Sequence, residues 1–184
     1  MQKLSLFSTE IFYEFCNLDL EKIEKECLEF RENNPTELKS GVDSYQGRPY
    51  KNEEIDQELI KCLLQTQRDD KPFKSISTYS WININPRGSY NRMHQHSPYD
   101  GVFFSSVFYV KTPKNSGRIR FYDPRSFICS SLNMNYYHNR NTMHWVDPKE
   151  NTLIMFPSWL FHDVEPNNSD EERISISTNI HVKW

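Results

Sequence analysis

A change of hydrophobic period near residue 75 constrains the fold of this 184-residue chain more than any other feature. Before it, Leu20, Ile23, Cys27 and Phe30 recur at steps of three and four behind a candidate Asp19 cap. Ile55, Leu59, Cys62 and Leu63 follow Asn52 in the same way. Both spacings place apolar side chains on one helical face and predict two amphipathic helices. Between them, Asn33 to Lys51 is rich in Pro, Gly, Ser and Asn and reads as a loop, with Tyr45-Gln46-Gly47-Arg48-Pro49 its most turn-like stretch. After residue 75 come short β-rich runs: Ser77 to Asn85, Val102 to Lys111, Arg118 to Tyr122, Thr152 to Phe156 and Arg173 to Val182. Helices first and strands second, without alternation, exclude a parallel βαβ sheet and favour a β-barrel or sandwich buttressed by N-terminal helices. Asp123 to Glu150, crowded with Asn, Ser, Tyr and His, reads as a long functional loop.

The length suits one domain with a substantial core, expected to run 1–184 with 1–74 as helical support and 75–184 as the β core. A net charge of -3, with both signs interleaved, offers no basic patch for nucleic acid. The four cysteines, Cys16, Cys27, Cys62 and Cys129, contain no Cys-x-x-Cys pair and fit reduced thiols better than a disulfide framework. No apolar run reaches membrane-spanning length. The expectation is a soluble, intracellular, cytoplasmic protein without a membrane partner, in which an exposed sheet edge could pair two copies.

Three histidines and one arginine carry the chemical signal. On a strand, residues two apart share a face about 7 Å apart at the backbone, so His94 and His96 of His94-Gln95-His96 can converge on one ion. His162, at the end of Phe156-Pro157-Ser158-Trp159-Leu160-Phe161-His162, would complete a facial set that leaves other metal positions open. Arg173 has the planar fork that suits a carboxylate, and Ser175 on the same strand face adds a hydroxyl donor.

Each element also has a plainer account. A lone His-x-His is common on exposed strand faces, Trp159 and its neighbours read as packing around a strand-breaking Pro157, and Arg173 could be a surface residue paired with Glu171 or Glu172. The conjunction of the motifs favours the functional account. His138, His144 and His181 lack such company and read as loop or surface residues; His138 and His144, with Tyr136, Tyr137 and Trp145, are candidates for substrate contact.

The run from Trp81 through Asn85-Pro86-Arg87-Gly88-Ser89 to His94-Gln95-His96, the Phe156 to His162 segment and Arg173-Ile174-Ser175 together resemble the iron(II) and 2-oxoglutarate-dependent dioxygenases. The resemblance spans about Trp81 to Asn179. It implies a double-stranded β-helix (a jelly-roll, cupin-like barrel), Fe(II) as cofactor, and 2-oxoglutarate as co-substrate converted to succinate while a small molecule or a peptide is oxidised. It also implies a polar co-substrate contact on the strand of Asn83 and Asn85, with Asn85 the candidate.

One departure matters. Most of that superfamily has His-x-Asp or His-x-Glu where this chain has His94-Gln95-His96, so the ligands are expected to be His94, His96 and His162, with Asp100 an alternative oxygen donor. Two other accounts use the same scaffold. A cupin-type metal enzyme would use Asp100 and ignore 2-oxoglutarate; a non-catalytic jelly-roll module would bind ligand through its aromatic loop.

Overall fold

The computed structural model describes residues 8–96, 101–125 and 142–184. Asp100, Cys129, Tyr136, Tyr137 and His138 lie outside them. Both expected helices form where their caps place them. Helix α1 (Leu20–Asn33) starts after Asp19, whose Oδ1 accepts from the Lys22 N–H at 3.1 Å; α2 (Glu53–Gln65) starts after Asn52, whose Oδ1 accepts from the Ile55 N–H at 3.1 Å.

Among the described residues, eleven strands follow the chain in the order β1 (Phe12–Phe15), β2 (Gly41–Val42), β3 (Tyr45–Tyr50), β4 (Ser75–Asn85), β5 (Tyr90–His94), β6 (Val102–Lys111), β7 (Ile119–Tyr122), β8 (Met143–Val146), β9 (Thr152–Pro157), β10 (His162–Val164) and β11 (Arg173–Lys183). They make two antiparallel sheets, a major one ordered β1-β9-β6-β11-β4-β3 and a minor one ordered β2-β5-β10-β7-β8. This is the double-stranded β-helix. The five strands read from sequence are β4, β6, β7, β9 and β11, within two residues at every end.

Six strands escaped the sequence reading. The segment Tyr45 to Pro49, expected as a turn, is most of edge strand β3, which pairs with β4 from Tyr45↔Ile84 to Tyr50↔Ser80 across an irregularity after Gly47. Its Pro49 needs no ladder N–H at an edge, so composition alone misled. Strands β5 and β10 are short and polar and owe their extension to pairing with each other and with β2 and β7. Part of the expected 123–150 loop is β8, held against β7.

Alternation sorts each major-sheet strand into two buried faces. Ile82 and Ile84 of β4, Phe108 of β6 and Ile174 and Ile176 of β11 pack with Ile23, Cys27, Leu59 and Leu63 of the helices. The opposite face turns toward the minor sheet, where Val107, Tyr109, Ile119, Phe121, Ile154, Phe156 and Leu160 form a second, smaller cluster. Cys16, Cys27 and Cys62 are buried free thiols. No helix among the described residues is long and apolar enough to cross a membrane.

Candidate metal and co-substrate site

One end of the inter-sheet space is polar where a sandwich core is normally apolar. The register aligns Arg173 with Asn85, Ser175 with Asn83 and Ser177 with Trp81, a row on one face of β11 and β4. All of these except Asn85 line an internal cavity that also takes in His94, His96, His162 and Tyr109. A buried polar row has to be satisfied by partners or by a ligand.

The three predicted histidines meet there, and their ligand atoms all lie within 4.8 Å of one another. His94 ends β5 and pairs directly with His162, which begins β10. His96 does not continue the strand as expected. It lies beyond β5, where its N–H donates to the Ser158 carbonyl at 2.9 Å. The imidazoles therefore converge through a strand pair and one anchored loop residue.

The Nδ1 atoms of His94 and His162 lie 2.7 Å from the Arg92 carbonyl oxygen and 2.9 Å from the Leu160 carbonyl oxygen. A carbonyl can only accept, so Nδ1 carries the proton in each ring and Nε2 keeps a free lone pair. Burial holds His94 below its ordinary range, and burial with His94 alongside pushes His96 down to about 3. His162 is held well below the usual range by burial, reinforced by His94 and His96. Neutral imidazoles are the form that binds a metal. The Trp81 ring flanks His96 at 5.7 Å between centroids.

Asp163, next to His162, alternates to the other side of β10. It accepts two bonds from Arg120, at 2.7 and 2.5 Å, and one from the Tyr122 hydroxyl at 2.7 Å. It is thus committed away from the histidines. His144 and His181 are not in the histidine group, and Trp145 donates to Glu165 at 3.2 Å while stacking under Arg118.

Arg173 is only 2% exposed, so its surface reading fails. The acids that could have paired with it are used elsewhere, Glu171 with Lys111 and Glu172 with Arg31. Its Nη1 donates to the carbonyls of Ser116 at 2.7 Å and Gly117 at 3.3 Å, and among the described residues no carboxylate neutralises it. Gly117 packs directly against the Glu165 backbone. Its φ is +87°, and an added Cβ would lie 2.3 Å from the Glu165 carbonyl oxygen. Burial pushes the guanidinium down to about 10, opposed by the neighbouring Tyr109. A charged guanidinium buried with only neutral acceptors is a receptor for an anion.

Ser175 is buried on the cavity wall. Asn83 is already engaged, accepting from Gln46 Nε2 at 2.8 Å and donating to Ser177 Oγ at 3.0 Å. Asn85 is buried with both side-chain polar atoms unpartnered, opposite Arg173. Trp159, expected as packing, is 41% exposed because the turn at Pro157 swings it out, whereas Leu160 takes the buried position. Sequence reasoning missed Tyr109 and Trp81 as cavity residues. Their signal was their place on the same strand face as Val107 and Asn83.

A family model described as "Putative 2OG-Fe(II) oxygenase" matches residues 79–179. No curated protein sequence matches the chain. Solved structures share its fold at low identity. A prolyl-4-hydroxylase from Pseudomonas putida aligns with a TM-score of 0.65 at 19% identity, over 96% of this chain and 95% of that one. A prolyl hydroxylase from Trichoplax adhaerens, in complex with a hypoxia inducible factor peptide fragment, gives 0.64 at 14% identity, over 93% and 83%. HygX from Streptomyces hygroscopicus, with nickel and 2-oxoglutarate bound, gives 0.64 at 9% identity, over 96% and 84%. With the family matched across residues 79–179 of 184 and a histidine triad beside a buried arginine, the chain belongs to the 2OG-Fe(II) oxygenases, oxidoreductases that use Fe(II) and 2-oxoglutarate.

Proposed function

We propose that this chain, acting as one domain, hydroxylates a C–H bond of a protein side chain or small molecule and releases succinate and CO2. In this reading His94, His96 and His162 hold the iron, Arg173 and Ser175 bind the distal carboxylate of 2-oxoglutarate, and Asn85 adds a polar contact beside Arg173. The observation that carries it is a buried guanidinium without a carboxylate partner among the described residues, opening on the same cavity as three neutral imidazoles. A 2-oxo acid spans those two features, because one end chelates and the other is a carboxylate.

The donor set fits the metal. Three imidazoles bring ligand nitrogens within 4.8 Å of one another, and three protein ligands would leave octahedral positions free for a chelating co-substrate and dioxygen. Bound iron would supply dioxygen activation coupled to oxidative decarboxylation of 2-oxoglutarate. The chain's own groups prepare the site. The Arg92 and Leu160 carbonyls fix two ring orientations, while Val107, Ile119 and Phe156 give the cavity a dry wall. Arg173 fixes one end of the co-substrate and so limits the poses of the other. The Trichoplax prolyl hydroxylase, which shares the fold and binds a peptide fragment, supports a peptide substrate, and HygX, with 2-oxoglutarate bound, supports the co-substrate.

Anaerobic titration of 2-oxoglutarate into iron(II)-loaded protein tests the reading. The weak visible band of a 2-oxo acid chelated to iron is the expected result, with Arg173→Ala requiring more 2-oxoglutarate to produce it. No band despite bound iron would overturn the co-substrate assignment.

A further inference from the structure

We infer that the substrate is an anion, presenting a carboxylate or phosphate to a cationic cleft at the mouth of the metal site. The inference rests on the oxygenase reading for the identity of the reacting centre. Outside the histidines lies a cleft of about 510 Å³, in the range that encloses a small-molecule group. It shares Trp81, His94 and His96 with the inner cavity, so a molecule seated there borders the metal ligands. Its other walls include Lys39, Arg48 and Arg92, and no aspartate or glutamate lines it among the described residues.

This charge is set against the trend of the molecule, whose net charge is -3. Elsewhere among the described residues several arginines are matched with acids, Arg31 with Glu172, Arg68 with Asp70, Arg118 with Glu165 and Arg120 with Asp163, whereas Arg173 of the inner cavity is not. Lys39 and Arg92 have no carboxylate within 4.0 Å among the described residues, whereas Arg48 has only Glu37, at the 4.0 Å limit and with its carboxylate 60% exposed.

Arg48 provides the independent observation. Its side chain is 7% exposed and its guanidinium stacks over the Trp81 ring at 5.5 Å. One nitrogen, Nη2, donates to the Glu37 carbonyl at 3.0 Å, but the buried Nε has no hydrogen-bond partner. A buried guanidinium N–H without an acceptor is costly, and an anion seated in the cleft against Arg48 would offset the charge that its neutral partners leave uncompensated. Trp81 holds the planar group from below, which fixes the direction of its fork.

The test uses 15N-labelled protein loaded with zinc in place of iron and saturated with 2-oxoglutarate, observing the arginine Nε–H resonances assigned through Arg48→Gln and Arg92→Gln. Four amide-capped amino acids serve as probes: glutamate, phosphoserine, glutamine and lysine. Saturable shifts of the Arg48 resonance by glutamate or phosphoserine are expected, with glutamine about tenfold weaker or worse, lysine inert, and affinity falling as salt rises. Comparing the two acids identifies carboxylate or phosphate as the preferred group. Each arginine variant should weaken the preferred acid about tenfold, whereas Arg118→Gln on another face should not.

Equal binding of glutamine and glutamate, no saturable shift by either acid, or full affinity in the variants would overturn the inference. Arg92 is exposed, so its variant keeps the question answerable even if Arg48→Gln perturbs the fold. Because 2-oxoglutarate binding is established first, its failure would count against the oxygenase reading, whereas its success without anion binding counts against this inference alone.

Discussion

At the residue scale, one imidazole, His162, and one charged guanidinium, Arg173, have been taken out of water together, with His94 and His96 half-buried beside His162. His162→Ala removes a donor that is fully enclosed and bonded in place, so metal measured after dialysis should fall at least tenfold and turnover should vanish. Retained stoichiometric metal in that variant would overturn its assignment as ligand. Arg173→Lys should not rescue Arg173→Ala, because a point charge cannot satisfy both the Ser116 and Gly117 carbonyls and a carboxylate fork; the apparent KM for 2-oxoglutarate should rise in both. These roles were legible because the spacing and order of the four residues carry the chemistry. Arg48 and Tyr109 were not legible, because an arginine before a proline and a tyrosine inside an apolar strand have ordinary local explanations.

At the element scale, the minor sheet, β7 apart, is built from strands that pattern did not reveal, and side-chain links between their ends reinforce it. Glu165 after β10 receives Arg118 Nε at 2.8 Å from the start of β7 and Trp145 Nε1 at 3.2 Å from β8. Arg118, with smaller help from Trp145, holds the Glu165 carboxyl below its ordinary range. A carboxyl depressed on folding stabilises fully above its unfolded value and loses that contribution as pH falls through the folded one. Chemical denaturation should therefore show Glu165→Gln less stable than the parent near neutral pH. The gap should narrow as pH falls below the ordinary carboxyl range and close only once pH has passed below the depressed folded value, and a gap constant with pH would overturn the link. In contrast, α1 and α2 were readable to within a residue because their caps and apolar steps are local properties.

At the scale of the whole molecule, the helices brace the sheet that carries Arg173 without touching the site chemistry. Leu59 of α2 is completely buried between them, and Leu59→Ala should cost about 2–5 kcal/mol in denaturant unfolding. Zinc and 2-oxoglutarate affinity measured well below the unfolding midpoint should stay near the parent value. A large loss of affinity there would mean that the brace sets the site geometry. Ligand binding also reports on the fold. Added zinc should raise the Tm of the parent protein, and the rise should disappear in His94→Ala.

By itself the sequence determined the helices, five of the strands and the identity of the four chemical residues. Each rests on local period, on capping or on residue type, and these survive without knowledge of distant neighbours. Only the tertiary structure decided that Tyr45 to Tyr50 is an edge strand, that His96 reaches the triad from beyond β5, and that Arg173 is buried with no acid beside it. Those facts depend on pairing between segments 30 to 68 residues apart, such as β3 with β4 and Arg48 with Trp81, or His162 with His94 and His96. The physical reason is that a short polar strand or a buried charge has no local preference for its state. It is extended, or enclosed, because the sheets on either side supply the hydrogen bonds and exclude the water.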